Sequence, residues 1–139
     1  MQPAQNMKFV GFKFSSNNSA HEHKFDTQGA RYLVIQICAN GGSGTAFAEQ
    51  PNLSESATEG GSYAAITGAA LSGLTSPADA AADAGTGVFF VDLKGRERFI
   101  KLDYQAGQTA NVASIGHLVD NTEAPITAAT SDYASRVIV

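Results

Sequence analysis

Apolar residues occur along the chain in short aromatic and β-branched runs, separated by clusters of Gly, Asn, Ser and Asp. This pattern is typical of an all-β domain. Alternation over residues 7–14 (MKFVGFKF) predicts a first strand, with Val10, Phe12 and Phe14 on one face. Residues 31–39 are apolar on both faces. They predict a central strand covered on both sides, either by a second sheet and a neighbouring subunit or by a helix.

Further strands are predicted at residues 88–93, 96–104 and 111–119 and in the terminal SRVIV, with a weaker strand near 45–49 that Pro51 interrupts. Residues 57–87 form a Gly/Ala-rich excursion in which the spacing of four residues allows one short helix: Ile66, Ala69, Ala70 and Leu74. The total is about eight to ten short strands, which predicts a two-sheet antiparallel β-sandwich, jelly-roll-like in its connections. We expect an N-terminal strand or arm at 1–14 and a single β-sandwich domain at 15–139.

The most patterned stretch is VDLKGRERFIKLDYQAG, residues 91–107, in which Gly95 separates two strand-like runs. This arrangement predicts a hairpin. A two-residue loop would place Asp92 opposite Glu97, and like charges directly opposite are unfavourable. A three-residue loop with Gly95 in the left-handed conformation places Asp92 opposite Arg96 and is the better register. It also pairs Phe90 with Arg98 and Phe89 with Phe99.

This hairpin has two possible roles. Its charged residues would turn a strand and keep a sheet edge soluble. Alternatively, Arg96 and Arg98 could dock a polar partner, since arginine is favoured where paired hydrogen bonds grip such a group.

Composition narrows the functional classes. With 139 residues, a net charge of −4 and a pI near 5.2, the chain is expected to be one domain that does not bind nucleic acid. No apolar stretch is long enough to span a membrane, and the N-terminus lacks the features of a signal peptide, which predicts synthesis in a reducing compartment. The single Cys38 lies in the apolar run YLVIQICA and is expected to be a small buried hydrophobe.

Motifs for catalysis are missing from the sequence. It has neither a phosphate-binding GxxxxGK[ST] loop nor a GxSxG nucleophile elbow, and paired carboxylates for glycoside hydrolysis cannot be picked out by sequence. His21 and His23 lack partners at metal-ligand spacing and are expected at the surface in a polar loop, whereas His117 should be partly buried in a strand. We therefore expect no enzyme activity, catalytic residues, cofactor or metal.

The order of two segments, FDTQGARYLVIQI followed by FFVDLKGRERFIKLDYQAGQTANVASIGHLV, resembles a family of small tailed-bacteriophage capsid decoration (cement) proteins. The likeness runs from about residue 25 to 119, with a gap over the Ala-rich middle. The matching positions are Gly29, Ala30, Tyr32, Asp92, Gly95, Arg96, Arg98, Phe99 and Lys101.

The resemblance implies a virion structural protein that binds neighbouring major capsid protein subunits on the outer capsid surface, as a homotrimer, after synthesis in the host cytoplasm. Its candidate capsid or subunit interface is formed by Phe9, Phe12, Phe14, Arg96 and Arg98. Two alternatives remain open: a receptor- or glycan-binding module of a phage head fibre or tail, which the absence of Trp disfavours, and a small β-sandwich hydrolase.

Overall fold

A computed structural model describes residues 7–16, 19–40, 47–74, 85–107, 110–120 and 135–139 of the chain. Within these ranges the chain forms nine strands and no helix. The strands are β1 (Met7–Ser16), β2 (Ala20–Asp26), β3 (Tyr32–Asn40), β4 (Phe47–Ser56), β5 (Ala64–Ala70), β6 (Thr86–Asp92), β7 (Phe99–Ala106), β8 (Asn111–Val119) and β9 (Ser135–Ile138). Residues 1–6 of the predicted N-terminal arm lie outside the described residues.

The strands pair into two sheets that enclose one core. The first sheet has five strands in the order β1-β8-β3-β6-β9, and the second has four in the order β2-β7-β4-β5. Neighbouring strands are antiparallel except β6 and β9, which run parallel. The predicted all-β sandwich is therefore confirmed.

Alternation along each strand fills the core from both sheets. On β7 the buried residues Ile100, Leu102 and Tyr104 alternate with the partly exposed Lys101 and Asp103. On β3 the inward positions are Leu33, Ile35, Ile37 and Ala39, all of which are buried. Burial of one side of each strand is the period-2 pattern expected when two sheets pack face to face.

The two sheets approach closely at Gly116 of β8. A Cβ atom added there would lie 2.3 Å from the Phe25 ring of β2. Phe25 is fully buried in the core, so the glycine provides the space that this ring occupies.

The predicted hairpin around Gly95 is wrong, although its turn is present. Gly95 has a positive φ of 78°, and the Arg96 amide donates a hydrogen bond to the Leu93 carbonyl at 3.1 Å. The strands on either side do not pair, because β6 belongs to the five-stranded sheet and β7 to the four-stranded sheet. Asp92 therefore pairs with Tyr32, and β7 is not an edge strand. The register predicted by keeping like charges from facing each other assumed that the two strands pair. Because β6 and β7 belong to different sheets, they have no pairing register.

Two further predictions about strands need correction. Pro51 does not interrupt a strand but lies within β4, where the pairing register with β7 shifts between Glu49 and Asn52. Its carbonyl accepts a hydrogen bond from the Leu71 amide at 2.9 Å. In the Gly/Ala-rich excursion, the apolar residues that suggested a helix lie on or just after β5; residues 75–84 lie outside the described residues.

Cys38 is exposed, so the prediction that it is a buried hydrophobe is wrong. The cysteine lies on β3 in the alternation that points away from the core, between the buried Ile37 and Ala39. The four-stranded sheet thus covers only one face of β3. Cys38 on the other face remains open to solvent within the described part of the chain.

Candidate interaction surfaces

The outer face of the five-stranded sheet carries three exposed phenylalanines on its edge strand β1. Each of the three is 57% exposed to solvent: Phe9, Phe12 and Phe14. They lie opposite His117, Ile115 and Ala113 of β8, which are the residues of that strand that point away from the core.

A β-bulge places the three phenylalanines on the same side. The pairing register shifts between Phe9 and Gly11, so that Val10 is an extra residue on β1. Without it, Phe9 and Phe12 would point to opposite faces. Val10 instead packs against the core, which corrects the prediction that Val10 shares a face with Phe12 and Phe14. Gly11 has a φ of 155°, and a Cβ atom there would lie 2.7 Å from His23 Nε2.

Apolar residues continue from β1 across the whole sheet. One row of directly paired positions crosses all five strands: Phe9, His117, Val34, Phe90 and Ile138. Its two ends are open to solvent, with Phe9 57% and Ile138 60% exposed, and its middle residues are half-buried. The next row is Phe12, Ile115, Gln36, Val88 and Arg136. We call this surface the apolar face.

The exposed apolar surface of this face is concentrated at its two edges. Among the described residues, Phe9, Phe12 and Phe14 of β1 and Ile138 of β9 are the large exposed hydrophobic residues, whereas Val88 in the middle of the sheet is fully buried. Grouped exposed apolar side chains often mark contact sites. The apolar face therefore suits contact with another protein surface.

The outer face of the four-stranded sheet is charged. Lys101 Nζ lies 3.2 Å from Glu22 Oε1 and 3.1 Å from Asp103 Oδ1. The Tyr63 ring lies beneath Lys101 and Lys24, with its centroid 5.0 Å and 5.4 Å from their amino groups. The hydrogen bond from Lys101 lowers the pKa of Glu22. We call this surface the charged face.

A third feature is an open cavity of about 550 Å³ at one end of the sandwich, which we call the basic pocket. The turn before β3 and the turn between β6 and β7 form its walls. Its charged lining residues are all cationic: Arg31, Lys94, Arg96 and Arg98. Leu93 and Ala30 contribute apolar surface.

Two of these arginines hold carboxylates of the same chain. Arg98 makes a bidentate pair with Asp26, with Nε to Oδ1 at 2.9 Å and Nη2 to Oδ2 at 2.8 Å. The hydrogen bond from Arg98 lowers the pKa of Asp26. Arg96 Nη1 lies 3.5 Å from Glu55 Oε1, and the other oxygen of Glu55 accepts a hydrogen bond from the Glu97 amide at 3.1 Å.

The histidines of β2 are not surface residues of a polar loop, so that prediction is wrong. His23 is buried, and its Nδ1 lies 2.8 Å from Ser114 Oγ. Burial, together with the nearby Lys13, lowers the pKa of His23 to about 4. Burial also lowers the pKa of His21, whose Nε2 has no hydrogen-bond partner among the described residues. His117 is partly buried and contacts the Phe9 ring edge-on at 5.7 Å.

The structure places the predicted interface residues on two surfaces. Phe9, Phe12 and Phe14 lie together on the apolar face, and Arg96 and Arg98 lie together in the basic pocket at the end of the sandwich. Sequence reasoning missed Arg31 and Lys94, which reach the same pocket from two different turns. It also missed the extension of the apolar face to Ile138, although the two-sided apolar pattern of residues 31–39 was a signal of it.

Comparison with protein-family models found no match for this chain, and comparison with curated proteins found no similar sequence. Among the described residues, no three His, Cys, Asp or Glu side chains are grouped so as to hold a metal ion. The described part of the chain also contains no helix long and apolar enough to cross a membrane.

Proposed function

We propose that this protein is a virion structural protein that decorates a phage capsid and stabilises it by binding neighbouring major capsid protein subunits on the outer shell. The single observation that carries the proposal is the apolar face, with Phe9, Phe12 and Phe14 each 57% exposed on one edge strand. Exposed aromatic side chains on a rigid sheet are what a subunit interface uses as anchors.

The physical reason lies in what a capsid protein must do. Such a protein performs no bond-making chemistry; it stabilises a shell by removing surface from water between subunits. In this sandwich one side of each sheet forms the core, and the apolar face remains available on the outside of the five-stranded sheet. An arrangement of this kind suits that role. In the proposal, Arg96 and Arg98 add a polar contact at the end of the same sandwich, and the functional unit is a homotrimer.

The order of strands supports a finer description of the fold. The first eight strands divide between the two sheets in the orders β1-β8-β3-β6 and β2-β7-β4-β5, and consecutive strands alternate between sheets except β4 and β5, which pair with each other. We infer a jelly-roll-like arrangement from this alternation, with β9 added beside β6.

Co-sedimentation with expanded capsids that lack this protein tests the proposal. We expect the native chain to pellet with the capsids and the triple variant Phe9→Ser/Phe12→Ser/Phe14→Ser to remain in the supernatant. The matched control, Glu22→Ser/Lys24→Ser on the charged face, leaves the net charge unchanged and should bind as the native chain does. Electron cryomicroscopy of the decorated particles should then place three copies around each occupied site.

The competing function is a receptor- or glycan-binding module of a head fibre or tail. A chain that ignores capsids but binds defined sugars on a glycan array would contradict the capsid proposal and support this one. Equal capsid binding by the triple variant and the native chain would exclude the apolar face as the contact.

A further inference from the structure

We propose that the basic pocket binds carboxylate groups presented by an acidic segment of a partner protein. The inference deepens the proposed docking function and rests on it for the identity of the partner. The pocket's chemistry can be tested on the isolated chain, so either proposal can fail without the other.

The pocket is a preformed feature of the backbone. The Leu93 amide donates to the Arg31 carbonyl at 2.9 Å, which joins the two turns that form the pocket walls. Thr27 fixes the start of β7 by donating to the Arg98 carbonyl from both its amide, at 3.0 Å, and its hydroxyl, at 2.7 Å. A backbone held in this way loses little further freedom when a ligand binds.

The lining has cationic charge that the chain leaves available. Arg96 and Arg98 pair with Glu55 and Asp26, whereas Arg31 and Lys94 have no carboxylate within ion-pair distance among the described residues. The Arg31 guanidinium stacks over the Tyr32 ring at 5.3 Å, an arrangement that leaves its hydrogen-bond donors free to face a ligand. Asp92 in the same turn accepts a hydrogen bond from the Lys94 amide at 2.9 Å and does not line the pocket.

Two observations favour carboxylates of a peptide. The bidentate Arg98–Asp26 pair shows that the guanidinium groups here already receive a carboxylate in the preferred fork geometry. A cavity of about 550 Å³ with Leu93 and Ala30 in its lining has room for a few side chains, including their methylene groups.

Titration of the isotope-labelled chain with a capped hexaglutamate peptide, followed by amide NMR, tests the inference. We expect chemical-shift changes at residues 29–31 and 93–98 and none with hexaglutamine. Binding should weaken strongly in about 1 M NaCl, where the Debye length is about 3 Å. The same changes should not be reproduced by inorganic phosphate at equal concentration.

A charge-matched pair of variants gives the decisive comparison. Arg31→Gln/Lys94→Gln should raise the dissociation constant for hexaglutamate at least about tenfold, whereas Lys24→Gln/Arg136→Gln, which also removes two positive charges, should change it less than about twofold. If both double variants weaken hexaglutamate binding equally, the change in net charge alone explains the weaker binding, and the inference is overturned. Tighter binding of phosphate than of peptide would overturn it as well. Thermal melts of both variants establish that each is folded.

Discussion

The two outer faces of the sandwich are built from strands of one chain and enclose one core, yet they differ in chemistry. The charged face has each cation near an acid, as in the contacts of Lys101 with Glu22 and Asp103. The apolar face presents Phe9, Phe12, Phe14 and Ile138 to solvent. Charged groups that pair with one another at the surface gain little when they are buried further. Apolar surface, by contrast, lowers the free energy when it is removed from water. The difference supports the proposal that a partner binds on the side of the five-stranded sheet.

The strongest way to sharpen this comparison is to contrast a core aromatic residue with one on the apolar face. Phe25→Ala should lower the free energy of unfolding by about 3–5 kcal/mol, because Phe25 is fully buried against Gly116. Phe12→Ala should lower it by less than about 1 kcal/mol, since Phe12 is 57% exposed. Chemical denaturation of both variants measures the difference. Similar losses would mean that the apolar face is part of the fold and not a surface kept for binding.

The next effect concerns His23, which lies between the two sheets. Its pKa in the folded protein is about 4, against 6.5 for an unperturbed histidine, because of burial and the nearby Lys13. The unfolded chain therefore takes up a proton first, and stability should fall as the pH drops from 6.5 towards 4, by at most about 3 kcal/mol. Unfolding curves across this range measure the slope.

A variant at this position identifies the residue responsible. His23→Asn should flatten the slope between pH 6.5 and 4, although His21, whose pKa is also lowered, retains part of it. Glu22 and Asp26 have lowered pKa values too, and their contribution is lost at lower pH, below their ordinary values of 4.5 and 3.8. A slope unaffected by His23→Asn would show that another group titrates.

A third, smaller effect should appear in the free protein. Phe9→Ser/Phe12→Ser/Phe14→Ser should reduce the fluorescence of a bound apolar dye at least about twofold, because such dyes report exposed apolar surface. Glu22→Ser/Lys24→Ser should leave the dye signal unchanged. If the triple variant binds as much dye as the native chain, the apolar face is not accessible in solution.

Much of the fold could be predicted because alternation of apolar and polar residues is a local signal. Residues 99–106 alternate cleanly, and they form β7 with every second side chain buried. Pairing between strands is a non-local property, and the hairpin prediction at Gly95 failed for that reason. The turn itself was predicted correctly, with Gly95 at a φ of 78°, but turn chemistry does not reveal which sheet the next strand joins.

The candidate surfaces were predictable to different degrees. Phe9, Phe12 and Phe14 are visible in the sequence, yet their common orientation depends on the bulge at Val10, which alternation alone assigns to the wrong face. Arg31 is far along the chain from Lys94, and the pairing of β3 with β6, which the Leu93–Arg31 hydrogen bond continues, brings them to one pocket. The apolar run of residues 31–39 predicted cover on both faces; the four-stranded sheet covers one, and on the other, among the described residues, Tyr32 is buried whereas Cys38 is exposed. That remaining face is consistent with the proposed partner.

The smallest effect should come from the charged face. Glu22→Gln removes the carboxylate shared by Lys101 and Lys24. It should lower the free energy of unfolding by less than about 1 kcal/mol, because Glu22 is 55% exposed and its ion pairs are screened by water. The loss should disappear in about 1 M NaCl. Denaturation at low and high salt measures both values. A loss that persists in high salt would show that the network orders the four-stranded sheet by packing rather than by charge, and the two outer faces would then differ less than their composition suggests.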